Sequence, residues 1–147
     1  MSDVKKELPG PSKARRARDL ALMDGEAHYK LYQASPNNLE KIEHLDKAIE
    51  ADDQAVYRAK RAELGFHLTD YKGAQADANR WIKMMNRKKT KTGQEKIKNH
   101  PLQSLLFTTY LWTQNYQAAK DCLTKHFDAN SPEYKKHIKE LNTYNKK

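Results

Sequence analysis

The stretch Ala55–Met85, AVYRAKRAELGFHLTDYKGAQADANRWIKMM, decides the fold. In its second half Tyr71, Ala74, Ala78, Ile82 and Met85 fall at i, i+3, i+7, i+11 and i+14, one stripe of a 3.6-residue helix, and such a stripe is built for burial. The first half carries a broader apolar face, Val56, Ala59, Ala62 and Phe66 beside Tyr57, Leu64 and Leu68, with Arg58, Lys60, Arg61 and Glu63 interleaved as a wetter side. Thr69-Asp70-Tyr71 joins the halves as a short turn. The alanines allow the two backbones to approach closely, and Tyr57, Phe66 and Tyr71 fill the remaining gaps. Two helices this thin cannot bury a core between them, so they need neighbours of the same kind.

Upstream, Ser12 is a candidate N-cap, and Leu20, Met23, Ala27, Leu31 and Ala34 step by three and four along a first helix that ends before Ser35-Pro36-Asn37-Asn38. Gly25 interrupts that helix, and because a mid-helix glycine costs about 1 kcal/mol against alanine, its presence points to close packing. A second helix, about Leu39 to Ala51, carries Leu39, Ile42, Leu45, Ala48 and Ile49. Downstream, Pro101 opens a helix in which Leu102, Leu105, Leu106, Thr109, Tyr110 and Trp112 cover much of the circumference, so it is expected to lie deep. Tyr116, Ala119, Leu123 and Phe127 then repeat Tyr71, Ala74, Ala78 and Ile82 at a constant offset of 45 residues, an internal repeat. Ser131-Pro132 starts a last helix with Tyr134, Ile138, Leu141 and Tyr144 on one face.

Length and charge narrow the classes. A chain of 147 residues fits one domain, and 37% hydrophobic against 32% charged residues suits apolar stripes better than a thick interior. The net charge of +9 is uneven: residues 21–82 hold eight basic and eleven acidic side chains, residues 83–100 seven and one. The positive charge therefore sits in the N-terminal arm, an internal insert and the C-terminal tail, a footprint for an anionic partner or a solubility device. One cysteine, Cys122, leaves no intramolecular disulfide, and the opening residues lack the apolar run of a signal peptide. The expectation is an intracellular, reducing compartment, the cytosol ahead of the mitochondrion, with no transmembrane segment.

No catalytic constellation emerges. Cys122 and His126 lie at i and i+4 on one helix face, but nothing supplies further metal ligands, and the six histidines show no ligand spacing. The acidic Glu40–Asp53 stretch has the look of a solvated helix face. Enzyme activity, a cofactor, a metal and a small-molecule substrate are not expected.

The residues quoted above resemble the tetratricopeptide repeat, a helix-turn-helix unit of about 34 residues. Tyr57, Arg61-Ala62, Leu68 through Ala74, Asp77-Ala78 and Ile82 match its two helices and turn; Gly25, Tyr29-Lys30, His44 and Lys47 through Asp52 look like a degenerate repeat before it, and Gln114 through Ala119 with Cys122-Leu123 like one after it. The resemblance implies an all-α fold of antiparallel helix-turn-helix repeats, stacked as a short solenoid with an extra C-terminal helix. Its units are a flexible arm at 1–12, then a single domain at 13–144 with repeats at about 13–52, 54–85 and 101–128, a basic insert at 86–100 and a terminal helix at 132–144. Co-chaperone repeats are the most similar type, yet the positions of their carboxylate clamp hold Leu22, Glu26, Lys60, Pro101 and Leu105, so chaperone-tail binding is not implied.

The resemblance does imply a concave face lined by Lys60, Glu63, His67, Thr108 and Trp112 that receives a partner's peptide or helix. The expected function is a non-catalytic scaffold, adaptor or peripheral subunit of a larger assembly whose partners are other protein subunits. The alternative is an RNA-associated accessory protein that lays Arg87, Lys88, Lys89, Lys91, Lys96 and Lys98 on a phosphate backbone. No aromatic side chain interleaves those lysines for base stacking.

Overall fold

A computed structural model describes residues 12–87 and 97–145, and within them the chain is all-helical. Seven helices follow one another among the described residues: α1 (Lys13–Ala34), α2 (Asn38–Ala51), α3 (Ala55–His67), α4 (Tyr71–Arg87), α5 (Pro101–Trp112), α6 (Tyr116–His126) and α7 (Pro132–Asn145). They pack as sequential pairs, α1 with α2, α3 with α4 and α5 with α6, joined through α2–α3, α4–α5 and α3–α5, with α7 laid on α6 and α5. No described helix is long and apolar enough to cross a membrane. The expectations for the N-terminal arm and most of the basic insert fall outside the described residues.

Local chemistry sets the helix starts. Side chains of Ser12, Asn37, Asp70, His100, Asn115 and Ser131 accept hydrogen bonds from backbone N–H groups two or three residues ahead, at 2.9–3.2 Å. The stops of α3 and α5 are a matched pair. Thr69 N–H donates to Phe66 O and Asp70 N–H to Gly65 O, at 3.1 and 2.8 Å; Gln114 N–H donates to Leu111 O and Asn115 N–H to Tyr110 O, at 3.0 and 2.8 Å. Both are Schellman closures, with Thr69 and Gln114 left-handed at φ 63° and 61°. The 45-residue offset read in the side-chain pattern is thus also present in the backbone.

The core centres on α5. Leu102, Leu106, Phe107 and Leu111 are each at most 2% exposed, and side chains of that kind contribute about 1.5–3 kcal/mol apiece. The α4 stripe is buried as expected, Tyr71 half and Ala74, Ala78, Ile82 and Met85 fully, with Trp81 beside them. Ile97, Phe127 and Leu141 close the same cluster. A second, small cluster of Ala48, Ile49 and Tyr57, with Tyr29 against it, ties the first pair to the rest.

Helix α1 departs from expectation. Of its residues only Gly25 is buried, and the stripe Leu20, Met23, Ala27, Leu31 and Ala34 faces away from the fold. The face that packs is the one carrying Gly25, His28, Tyr29 and Tyr32: His28 stacks on His44, and Tyr29 lies 5.0 Å from the Tyr57 ring. Gly25 is there for close approach, since a Cβ on it would stand 3.2 Å from Asp52 Cβ and 3.4 Å from Ala48 O. A small residue and flat rings let α1 sit close to α2, and that geometry outweighs the hydrophobicity of the opposite stripe.

The left-handed turn residues are a reserve of strain, because a β-branched side chain is disfavoured at positive φ. Thr69→Gly should raise the free energy of unfolding by about 1 kcal/mol, read as a higher midpoint at unchanged slope in urea titration, while Thr69→Ala should give less than half of that gain.

Candidate functional site

Two polar assemblies and one aromatic cluster lie on the faces that α2, α3, α4 and α5 share. The first is an ion network around Asp77, which sits on the buried stripe of α4 with its side chain 6% exposed. Arg61 grips it through a fork, Nε to Oδ2 at 2.9 Å and Nη2 to Oδ1 at 2.9 Å, and reaches Asp46 of α2 at 2.8 Å. Arg58 donates to Asp77 Oδ1 at 3.0 Å and takes Asp53 in a second fork at 2.8 and 3.0 Å. Arg80 adds a longer contact to Asp53 at 3.4 Å. The arginines expected on a wetter side are therefore largely withdrawn from water, and Asp46 and Asp53 do more than solvate a helix face. Hydrogen bonding from Arg58 holds the Asp53 carboxyl below its ordinary value, against an opposing push from burial. The same partners raise the Arg58 and Arg61 guanidinium groups further above theirs.

The second assembly joins the segment before α5 to the loop after α6. Asn99 N–H donates to His126 O at 2.8 Å, Asp128 N–H donates to Asn99 Oδ1 at 3.1 Å, and Lys98 Nζ lies 3.0 Å from Asp128 Oδ1. His100 caps α5 by accepting from Leu102 N–H at 3.0 Å while its ring packs 4.6 Å from Trp81. That acceptor role requires a neutral ring, and burial lowers its basicity accordingly, with Glu63 pulling the other way.

The aromatic cluster is where α3 and α5 end. Trp112 stacks on Phe66 with centroids 5.3 Å apart and meets Tyr71 edge-on at 5.4 Å. It remains 47% exposed, with Leu68 next to the cluster at 37%. Its indole N–H makes no hydrogen bond to the described residues. A shallow depression of about 580 Å³, lined by Leu111, Trp112, Gln114, Tyr116 and Tyr144, opens beside it.

The residues assigned to the concave face have separate fates. Lys60 and Glu63 are neighbours on α3, with Nζ 3.8 Å from Oε2. His67 is exposed, one residue beyond Phe66. The Thr108 hydroxyl donates to Ser104 O at 2.9 Å, so its donor is used within α5. Of the basic cluster, Arg87 is exposed at the end of α4, Lys98 is engaged by Asp128, and Lys88, Lys89, Lys91 and Lys96 lie outside the described residues.

Cys122 and His126 line a small depression of about 190 Å³, but the thiol is buried. It faces the backbone and side-chain oxygens of Gln103 at 3.7 and 3.8 Å, and burial pushes it up to about 12, far from a thiolate at neutral pH. Among the described residues no three metal-ligating side chains converge. The sequence reading missed His137, which is buried on α7 between Glu140 and Ser104 at 2.8 and 2.9 Å. It also missed the Asp77 network, for which there was a signal: a lone carboxylate in an apolar stripe requires cations, and Arg58 and Arg61 stand one helix earlier.

No protein-family model matches the chain, and no curated protein aligns with it.

Because breaking a buried pair strands a charge, Asp77→Ala should cost about 3–5 kcal/mol of stability, measured by urea unfolding. Asp53 gives a pH signature. Its native carboxyl is depressed, so its contribution is complete above its unfolded value, about 4, and is lost as pH falls through the native one. The stability gap between the native chain and Asp53→Asn should therefore be widest above about pH 4 and shrink towards pH 2.

Proposed function

We propose that the chain is a non-catalytic interaction module, a tetratricopeptide-like repeat stack that serves as an adaptor or peripheral subunit and engages another protein across the shared face of α3 and α5. The observation that carries this reading is Trp112, half-exposed and backed by Phe66 and Tyr71, with a free indole donor. A rigid aromatic with one face packed and the other open is the side chain that dominates binding energy at protein interfaces. Exposed His67 and the Lys60–Glu63 pair on α3 supply polar groups beside it. The matched turns at Thr69 and Gln114 and the 45-residue offset support a repeat stack. Engagement of Lys98 by Asp128 takes one cation out of the basic cluster and weighs against the RNA alternative.

The test is size-exclusion chromatography of native lysate with and without nuclease, followed by mass spectrometry of what co-migrates. Trp112→Ala with His67→Ala should release the chain from a nuclease-resistant assembly into a monomer peak, with its thermal melt still cooperative. Loss of the large species on nuclease treatment, or release by reversing Arg87, Lys88 and Lys89 but not by Trp112→Ala, would sink this reading in favour of RNA.

A further inference from the structure

Helix α1 has two stripes and uses one. The outer row Leu20, Met23, Ala27 and Leu31 advances by three and four residues, and Leu20, Met23 and Leu31 stand 66%, 63% and 49% exposed. A shallow depression of about 570 Å³, lined by Leu20, Ala21, Met23, Asp24 and Ala51, runs alongside. Arg16 lies four residues before Leu20 and Lys30 three after Ala27, so a cation terminates the row at each end. Both are exposed, and neither has an ion-pair partner among the described residues.

We infer that this row docks an acidic amphipathic helix of a partner protein. The partner's apolar seam would lie on Leu20, Met23, Ala27 and Leu31, with one carboxylate facing Arg16 and another facing Lys30. The two cations are fourteen residues apart in sequence, about 21 Å along the axis, which is two heptads. A partner helix therefore meets both with carboxylates at equivalent heptad positions. This surface is separate from the α3–α5 face, and its occupancy does not depend on that one.

Charge selects this occupant over the others. Asp24 follows Leu20 by four residues and Asp19 precedes Met23 by four, so a carboxylate borders the row on each flank. Anionic lipid headgroups would meet those carboxylates, and the row lacks the aromatic side chains that favour a membrane interface. A second copy of the chain would bring the same cation-ended row, with no carboxylate within it to face Arg16 or Lys30.

The experiment uses the full chain and a synthetic helix of about three heptads, with Leu along its seam and Glu at two positions fourteen residues apart, titrated by calorimetry. Saturable one-to-one binding is expected. Leu20→Asp with Met23→Asp should weaken it roughly a hundredfold without moving the thermal melt, since both side chains are exposed. Arg16→Glu with Lys30→Glu should weaken it about tenfold, and a peptide carrying Lys in place of Glu should recover the affinity on that variant. The inference is overturned by absence of binding, by affinity indifferent to the seam substitutions, by preference for phosphatidylserine-containing vesicles over the peptide, or by a free-chain dimer that Leu20→Asp with Met23→Asp dissolves.

Discussion

Asp77 is a carboxylate placed where water does not reach, and the arrangement of α2, α3 and α4 follows from the need to neutralise it. Two guanidinium groups do so, and each is held in turn by a further carboxylate, Asp53 or Asp46, so the charges form one chain of forks across three elements. Such a network adds little net stability over an apolar core of equal volume, because desolvation offsets most of the Coulombic gain. Its effect is geometric. Fork-to-fork pairing tolerates small displacements poorly, so α4 cannot slide or rotate against α3 without stranding a charge. The network also bridges two separate apolar clusters, the large one over α3 to α7 and the small one around Tyr57.

The matched closures at Thr69 and Gln114 show how the second constraint, chain reversal, is met without glycine. In both, the residue after the left-handed position, Asp70 or Asn115, caps the next helix by accepting from a backbone N–H three residues ahead. One short segment thus ends one helix and starts another, which leaves little freedom in how the pair folds back. The Thr113 hydroxyl accepts from the Gln75 side-chain amide at 3.2 Å, linking the second of these turns to α4. The aromatic cluster at Trp112 is assembled by this same pair of reversals, since Phe66, Tyr71 and Trp112 all sit at helix ends beside them.

Periodicity was enough to read α4 and α5, where one stripe is apolar and no rival exists. It was not enough for α1, where Leu20, Met23, Ala27 and Leu31 compete with Gly25, His28, Tyr29 and Tyr32. Hydrophobicity favours the first set, and packing selects the second, because a glycine admits the neighbouring backbone and flat rings stack across the joint. Arg58 and Arg61 were unreadable as buried groups from their own helix, where they alternate with Lys60 and Glu63; only Asp77 on the next helix disclosed them. Among the candidate site residues, Trp112 could be read as exposed apolar surface, whereas the internal bond of Thr108 and the engagement of Lys98 by Asp128 depend on local geometry that spacing does not encode.

The attachment of α1 bears on how the molecule would act within an assembly. Its inner face rests on a glycine and a few partly buried rings, and the nearest apolar cluster is the small one, so its local opening falls at the low end of the free-energy scale. A partner on the outer row binds only while α1 keeps its helical form, and by mass action it adds its binding free energy to that of the folded hairpin. The α3–α5 face, by contrast, rests on the deepest side chains in the molecule and is set before any partner arrives. One surface is therefore rigid and the other gains order with occupancy, which lets a small basic chain join a well-defined site to a more adaptable one.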